Sequence, residues 1–266
     1  MHLSTIMFSN ITIEICAGGI EDVITASRFP IDRIELNSAL ELGGLTPSLS
    51  VLLAAKEHTD IPLVCMVRPR AAGFIYSEQE FRIMKNDAQI LLEHGADGIV
   101  FGFLKPDHTI DEPRVSELVS LIHAHGKTAV FHRAFDLVQD ADKAIQALIH
   151  CHVDRVLTSG LAPSAPEGSA VLKHLIDCYG TQIQILPGCG IKADNVALLL
   201  KETGSTAIHM TAKSMRQDDG AYPAVDARNI QAVMNVLKAG APKKNILLTR
   251  EDSELMIQEQ YEKELF

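Results

Sequence analysis

"ITIEIC", residues 11 to 16, alternates strictly between β-branched apolar residues and a second set of side chains. In an extended strand successive side chains point to opposite faces, so Ile11, Ile13 and Ile15 share one face and Thr12, Glu14 and Cys16 the other. The isoleucines have to meet covering helices. Glu14 and Cys16 are thereby sent to the inside of whatever the strands enclose, near their C-terminal ends.

Outward from this strand the pattern repeats. Short apolar runs follow at "RIELN" (33 to 37), "LVCMVRPR" (63 to 70), "GIVFGF" (98 to 103), "KTAVFH" (127 to 132), "RVLTS" (155 to 159), "QIQIL" (182 to 186) and "TAIHM" (206 to 210). Between them lie segments with three-to-four-residue apolar spacing. One is "EFRIMKNDAQILLEHG", which sets Phe81, Met84, Ala88, Leu91 and Leu92 on one face and ends at Gly95. Ser77 and Glu80 form an S-x-x-E capping box, and Thr46 before Pro47 reads as a capping hydroxyl ahead of a first-turn proline. Alternating strands and helices build either an open doubly wound sheet or a closed barrel. Eight roughly equal units, with no GxGxxG fingerprint after the first strand, favour closure. The fold class expected is α/β, a single (β/α)8 TIM-type barrel over residues 1 to 266, with the barrel core at about 11 to 240, the last helix at 225 to 239, and a charged C-terminal tail from Lys243.

The 266 residues suit one barrel, and 47% hydrophobic content supports a large core. No apolar run approaches the roughly 18 residues of a spanning helix, so no membrane partner is expected. The opening "MHLSTIMFSN" has no basic segment followed by an apolar stretch and a small-residue cleavage site, so no signal peptide is read and a cytoplasmic location is expected. A net charge of −10 argues against nucleic acid as a partner. The five cysteines, Cys16, Cys65, Cys151, Cys178 and Cys189, form no CxxC pair and read as free thiols, with Cys65, Cys151 and Cys178 assigned to packing.

Polar residues gather at strand ends of one polarity. By alternation Glu35 and Asn37 point inward while Ile34 and Leu36 point outward; Arg68 and Arg70 share one phase of the third strand. "FHRAFD" supplies His132, Arg133 and Asp136; the sixth strand ends with Thr158 and Ser159, the seventh opens into "PGCGI", and the eighth carries His209 and Thr211. Of the neighbours His132 and Arg133, only one can face the interior if the strand stays regular, and the other should pair with Asp136 or the adjacent loop. In a (β/α)8 barrel the C-terminal face is where active sites sit.

"RIELNSALELGGLTPS", "MVRPRAAGFIY", "FHRAFD", "VLTSG" and "PGCGI", in this order and spacing, resemble the CutC family over residues 11 to 213. The resemblance implies a cytoplasmic TIM-type barrel, often a homo-oligomer, named for copper homeostasis. Family members often carry one cysteine ending the first strand and another ending the second; here these positions hold Cys16 and Asn37. Cu(I) prefers thiolate and thioether ligands. Barrel closure would set Cys189, His209 and Cys16 at consecutive positions around the rim, which offers Cys16 and Cys189 as copper ligands. The other reading makes Cys16 a small buried filler and Cys189 a loop residue.

The ionisable residues support a second function, an enzyme acting on a small anionic metabolite, phosphorylated or carboxylated. Glu14 and Glu35 could serve as a carboxylate pair with one raised pKa, and His132 or His209 could move a proton near neutral pH. Arg68, Arg70 and Arg133 could orient a carboxylate or phosphate, with Asp136, Thr158 and Ser159 alongside, and Gly188 and Gly190 could open backbone N–H groups to a phosphate. A self-neutralising structural network is the third reading. No lysine lies at an inward strand end, against a Schiff-base aldolase; Ser159 lacks a G-x-S-x-G setting, against a serine hydrolase.

Overall fold

The computed structural model describes residues 10–240. The eight expected strands are β1 (Thr12–Ala17), β2 (Arg33–Leu36), β3 (Leu63–Met66), β4 (Gly98–Phe101), β5 (Thr128–Phe131), β6 (Arg155–Thr158), β7 (Gln184–Pro187) and β8 (Ala207–Met210). All their pairings are parallel, and the hydrogen-bonded order runs β7-β6-β5-β4-β3-β2-β1-β8. A single parallel bridge between Gly188 and His209 brings β7 onto β8, so the strands form a nearly closed barrel. The helices α1 (Ile20–Ala26), α2 (Leu49–His58), α3 (Glu78–Glu93), α4 (Glu112–Ala124), α5 (Ala141–His150), α6 (Ser169–Tyr179), α7 (Val196–Thr203) and α8 (Ala227–Gly240) surround it. The charged tail expected from Lys243 lies outside the described residues.

Outward residues of the strands and inward residues of the helices form one continuous core, in which Ile13, Ile15, Ile34, Leu36 and Cys65 meet Val23, Leu52 and Met84. Helix α3 buries the face its spacing predicts, Phe81, Met84, Ala88, Leu91 and Leu92, and its capping box forms as expected between Ser77 and Glu80. Truncating Met84 to alanine in such a packed site costs about 2–5 kcal/mol. Helix α2 corrects the sequence reading. Its cap is Ser48, whose hydroxyl accepts from the Val51 N–H, and Pro47 precedes the cap. The Thr46 hydroxyl instead binds the backbone of Arg68, accepting from its N–H at 2.9 Å and donating to its carbonyl at 3.1 Å, which ties the loop after β2 to the end of β3.

The barrel interior is divided. Val64, Met66, Val100 and Val130 fill one part and Leu157, Leu186 and Ala207 another. The remainder, around β1, β2, β6 and β8, holds buried Glu14, Glu35, Arg155 and His209. At the C-terminal face, between β8 and α8, the chain makes an antiparallel hairpin that the sequence analysis does not assign, β9 (Lys213–Gln217) and β10 (Ala221–Val225). Its turn lies at Asp218, Asp219 and Gly220, with the Asp218 N–H on the Gly220 carbonyl.

Candidate functional site at the barrel mouth

Register builds the site. Glu14 is aligned with Arg33 across β1/β2 and with His209 across β1/β8, and Cys16 is aligned with Glu35. One Glu14 oxygen accepts from Nδ1 of His209 at 2.9 Å; the other takes Nε of Arg33 at 2.8 Å and Nη1 of Arg155 at 3.4 Å. Nε2 of His209 lies 3.5 Å from Glu35. Burial alone would raise the Glu14 carboxyl, but the hydrogen bond and charge of His209, with Arg33 and Arg155 behind it, bring it down to about 2. Burial likewise opposes a charge on His209, yet Glu35 and Glu14 on its two sides raise its pKa. Glu35 is pushed up by burial and by the Glu14 charge, against the pull of His209. Burial lowers Arg155 to about 10.

Cys16, Glu35 and His209 each offer one ligand atom, and these atoms lie within 4.8 Å of one another, all buried. Nδ2 of Asn37 reaches the Cys16 sulfur at 3.4 Å and Glu35 at 3.2 Å. Burial, and then the charges of Glu35, Glu14 and Asp22, hold the Cys16 thiol well above its usual pKa. Cys189, the expected partner of Cys16, lies outside the trio of Cys16, Glu35 and His209. Cys189 has a left-handed backbone (φ 77°) that turns its sulfur onto the Pro163 carbonyl at 3.2 Å, and Glu35 takes the third place instead.

Above this group lies a chamber of about 340 Å³ lined by Glu35, Asn37, Arg68, Phe74 and His132 among others. His132 is the buried neighbour that faces the interior; Arg133 borders the chamber from its rim, half-exposed and paired with Asp136 at 2.8 Å. Asp136 also accepts from the Ser159 N–H at 3.0 Å and from the Thr158 hydroxyl, so Thr158 and Ser159 position Asp136 and do not line the chamber. Arg70 is corrected more strongly. β3 ends at Met66, strand alternation does not reach Arg70, and its guanidinium pairs with the capping-box residue Glu80 beside the Tyr76 ring. A second cavity of about 820 Å³ shares Cys16, Arg133 and His209 with the chamber and is bordered by Cys189, Gly190 and Lys192. Gly190 lines it, but α7 begins only at Val196, and Asn195 bonds both the Lys192 N–H and the Gly190 carbonyl. Five residues, Ile191 to Asn195, thus separate Gly190 from the first residue of α7. Gly188 serves packing: a Cβ there would lie 2.4 Å from Leu157 Cδ1.

The CutC family model matches residues 11–214. A CutC family protein from Treponema denticola is 47% identical over 209 residues, spanning 79% of this chain and 84% of that one. The chain belongs to the CutC family. The human copper homeostasis protein cutC homolog is 40% identical to this CutC chain over 203 residues, 76% of this chain and 74% of that one. A crystal structure of CutC from Streptococcus agalactiae superposes with a TM-score of 0.71 at 31% identity, covering 76% of this chain and 98% of that one. N-(5'-phosphoribosyl)anthranilate isomerase from Pyrococcus furiosus shares the barrel alone, with a TM-score of 0.53 at 12% identity over 86% of this chain and 99% of that one.

Within this CutC barrel, sequence reasoning brought Glu14, Cys16, Glu35, Asn37, Arg68, His132 and His209 to one region, and the structure gathers them there. It missed Arg33 and Arg155, which neutralise Glu14 from below. Their signal was available: each opens a strand in the inward phase, two residues before Glu35 and Leu157 respectively. It also missed Phe74, whose ring packs on His132 with centroids 4.7 Å apart and the planes tilted by 53°.

Proposed function

We propose that this CutC chain takes part in copper handling by holding one Cu(I) ion at Cys16, with His209 and Glu35 completing the donor set. The observation that carries the reading is the buried convergence of these three ligand atoms; the copper homeostasis name of the human relative supplies the metal. The fit is mixed in softness. Cys16 is the soft ligand Cu(I) prefers, imidazole is acceptable, and carboxylate is the hardest of the three. Electrostatics favour a cation, because the carboxylates that, after burial, help keep the Cys16 thiol protonated would compensate an ion replacing that proton.

Both Cys16 and His209 must give up protons to bind, so affinity should rise with pH. Anaerobic titration of Cu(I) into metal-free protein against a competing chelator tests this. The expected result is one equivalent bound, tighter at alkaline than at acid pH, and weaker by at least about tenfold in Cys16→Ser. Equal affinity for parent and Cys16→Ser would overturn the reading.

A further inference from the structure

The chamber above the Cys16 group is lined by residues that carry unpartnered polar atoms. Among the described residues six buried side-chain polar atoms have no hydrogen-bond partner, and four of them, Glu35 Oε1, Asn37 Oδ1, Arg68 Nε and His132 Nε2, belong to residues lining this one chamber. A buried donor or acceptor left unmade costs about 1–3 kcal/mol, so four around one space indicate a ligand that completes them.

Their polarity can be assigned. Nδ1 of His132 accepts from the Ala134 N–H at 3.1 Å, which leaves the ring proton on Nε2. Burial and the nearby Arg68 charge lower this imidazole to about 3, so it is neutral and Nε2–H is a donor without an acceptor. Arg68 spends its terminal nitrogens on the carbonyls of Leu42, Gly44 and Ala72, leaving Nε–H unused. Those three bonds are all to neutral groups, and no described carboxylate pairs with this buried cation. On the other side Asn37 gives its Nδ2 to Glu35, so its Oδ1 is an open acceptor, as is Glu35 Oε1. Phe74, Met66 and Leu157 supply apolar walls.

We propose that this chamber binds a small carboxylate bearing a hydroxyl or amino group, with the carboxylate toward Arg68 and His132 and the hydroxyl or amine toward Asn37 and Glu35. A cation with one spare N–H beside a second single donor suits the two oxygens of a carboxylate; the three oxygens of a phosphate would need the fork that Arg68 has already committed to the backbone. The volume is at the small end of ligand sites, which run from about 300 to 1,000 Å³. The ligand's carboxylate end rests on Arg68 and His132, neither of them in the copper donor set, while Glu35 borders both sites.

Calorimetric titration of the metal-free full chain with D-glycerate, propionate, glycerol and inorganic phosphate tests the proposal. D-Glycerate should bind at one equivalent, with propionate (no hydroxyl) and glycerol (no charge) weaker by at least about tenfold, and phosphate should not displace it. Arg68→Met should abolish binding. Because Arg68 also holds loop carbonyls, Asn37→Leu is the second variant, and it should reduce D-glycerate to the propionate level while leaving propionate unchanged. Cys16→Ser should retain D-glycerate, which separates this site from the copper reading. No binding of D-glycerate by the parent protein at millimolar concentration, equal binding of D-glycerate and propionate, or displacement by phosphate would each overturn it.

Discussion

His209 donates from Nδ1 to Glu14 over 2.9 Å, joining the last strand of the barrel to the first through a buried ion pair. Glu14 also receives Arg33 and Arg155, so its charge is shared among three cationic groups. Glu14→Gln should therefore leave buried positive charge uncompensated and destabilise the fold by about 3–5 kcal/mol, read by urea denaturation at neutral pH. The same variant should lower the His209 pKa, read by imidazole NMR. A loss below about 1 kcal/mol would mean the network is slack.

His132 sets an acid limit on stability. Its folded pKa of about 3 lies below the ordinary value of 6.5, so between these the unfolded chain binds the extra proton. Stability then falls as pH drops from 6.5 toward 3, by roughly 1.4 kcal/mol per unit for this group. His132→Gln should flatten that part of the profile. Glu14 acts in a lower window: its depressed pKa contributes stability above 4.5 that is lost as pH falls toward 2.

Gly102 is where the His132 ring needs room. A Cβ at this position would lie 2.4 Å from Cε1 of His132 and 2.8 Å from Cβ of Ala134, with little freedom for either to move. Gly102→Ala should cost about 1–3 kcal/mol in thermal or urea unfolding and shift the His132 resonances, whereas an unaltered ring environment would contradict the packing.

Asn37→Cys would place a second thiol beside Cys16, where the amide nitrogen now sits 3.4 Å from sulfur. Cu(I) affinity measured by chelator competition should rise by at least about tenfold, since thiolate replaces a poor ligand.

Arg70 lies outside the chamber and pairs with Glu80 at a half-exposed position. Arg70→Ala should cost no more than about 1 kcal/mol and leave both copper and D-glycerate binding unchanged. A variant defective in either would restore Arg70 to the site.

How far the sequence could be read followed strand regularity. Alternation holds through β1 and β2, and Glu14, Cys16, Glu35 and Asn37 face inward as it requires. It stops at Met66, and Arg70, four residues on, follows its loop. Cys189 does border a cavity with Cys16 and His209, but its left-handed backbone and the contact of its sulfur with the Pro163 carbonyl are invisible in residue identity. Arg33 and Arg155 were passed over because they open their strands, one layer beneath the rim where functional groups were sought. The hairpin of β9 and β10 carries only a short Asp-Asp-Gly turn as its signal and was not assigned.

The Gly188 bridge gives His209 a second consequence. The same residue closes the cylinder's one thin joint and sits between Glu14 and Glu35. Whatever engages that imidazole therefore also clasps the first and seventh staves to the eighth. Backbone amides along this joint should exchange with solvent more slowly when the mouth is filled, so mechanical integrity and occupancy of the barrel are two readings of a single side chain.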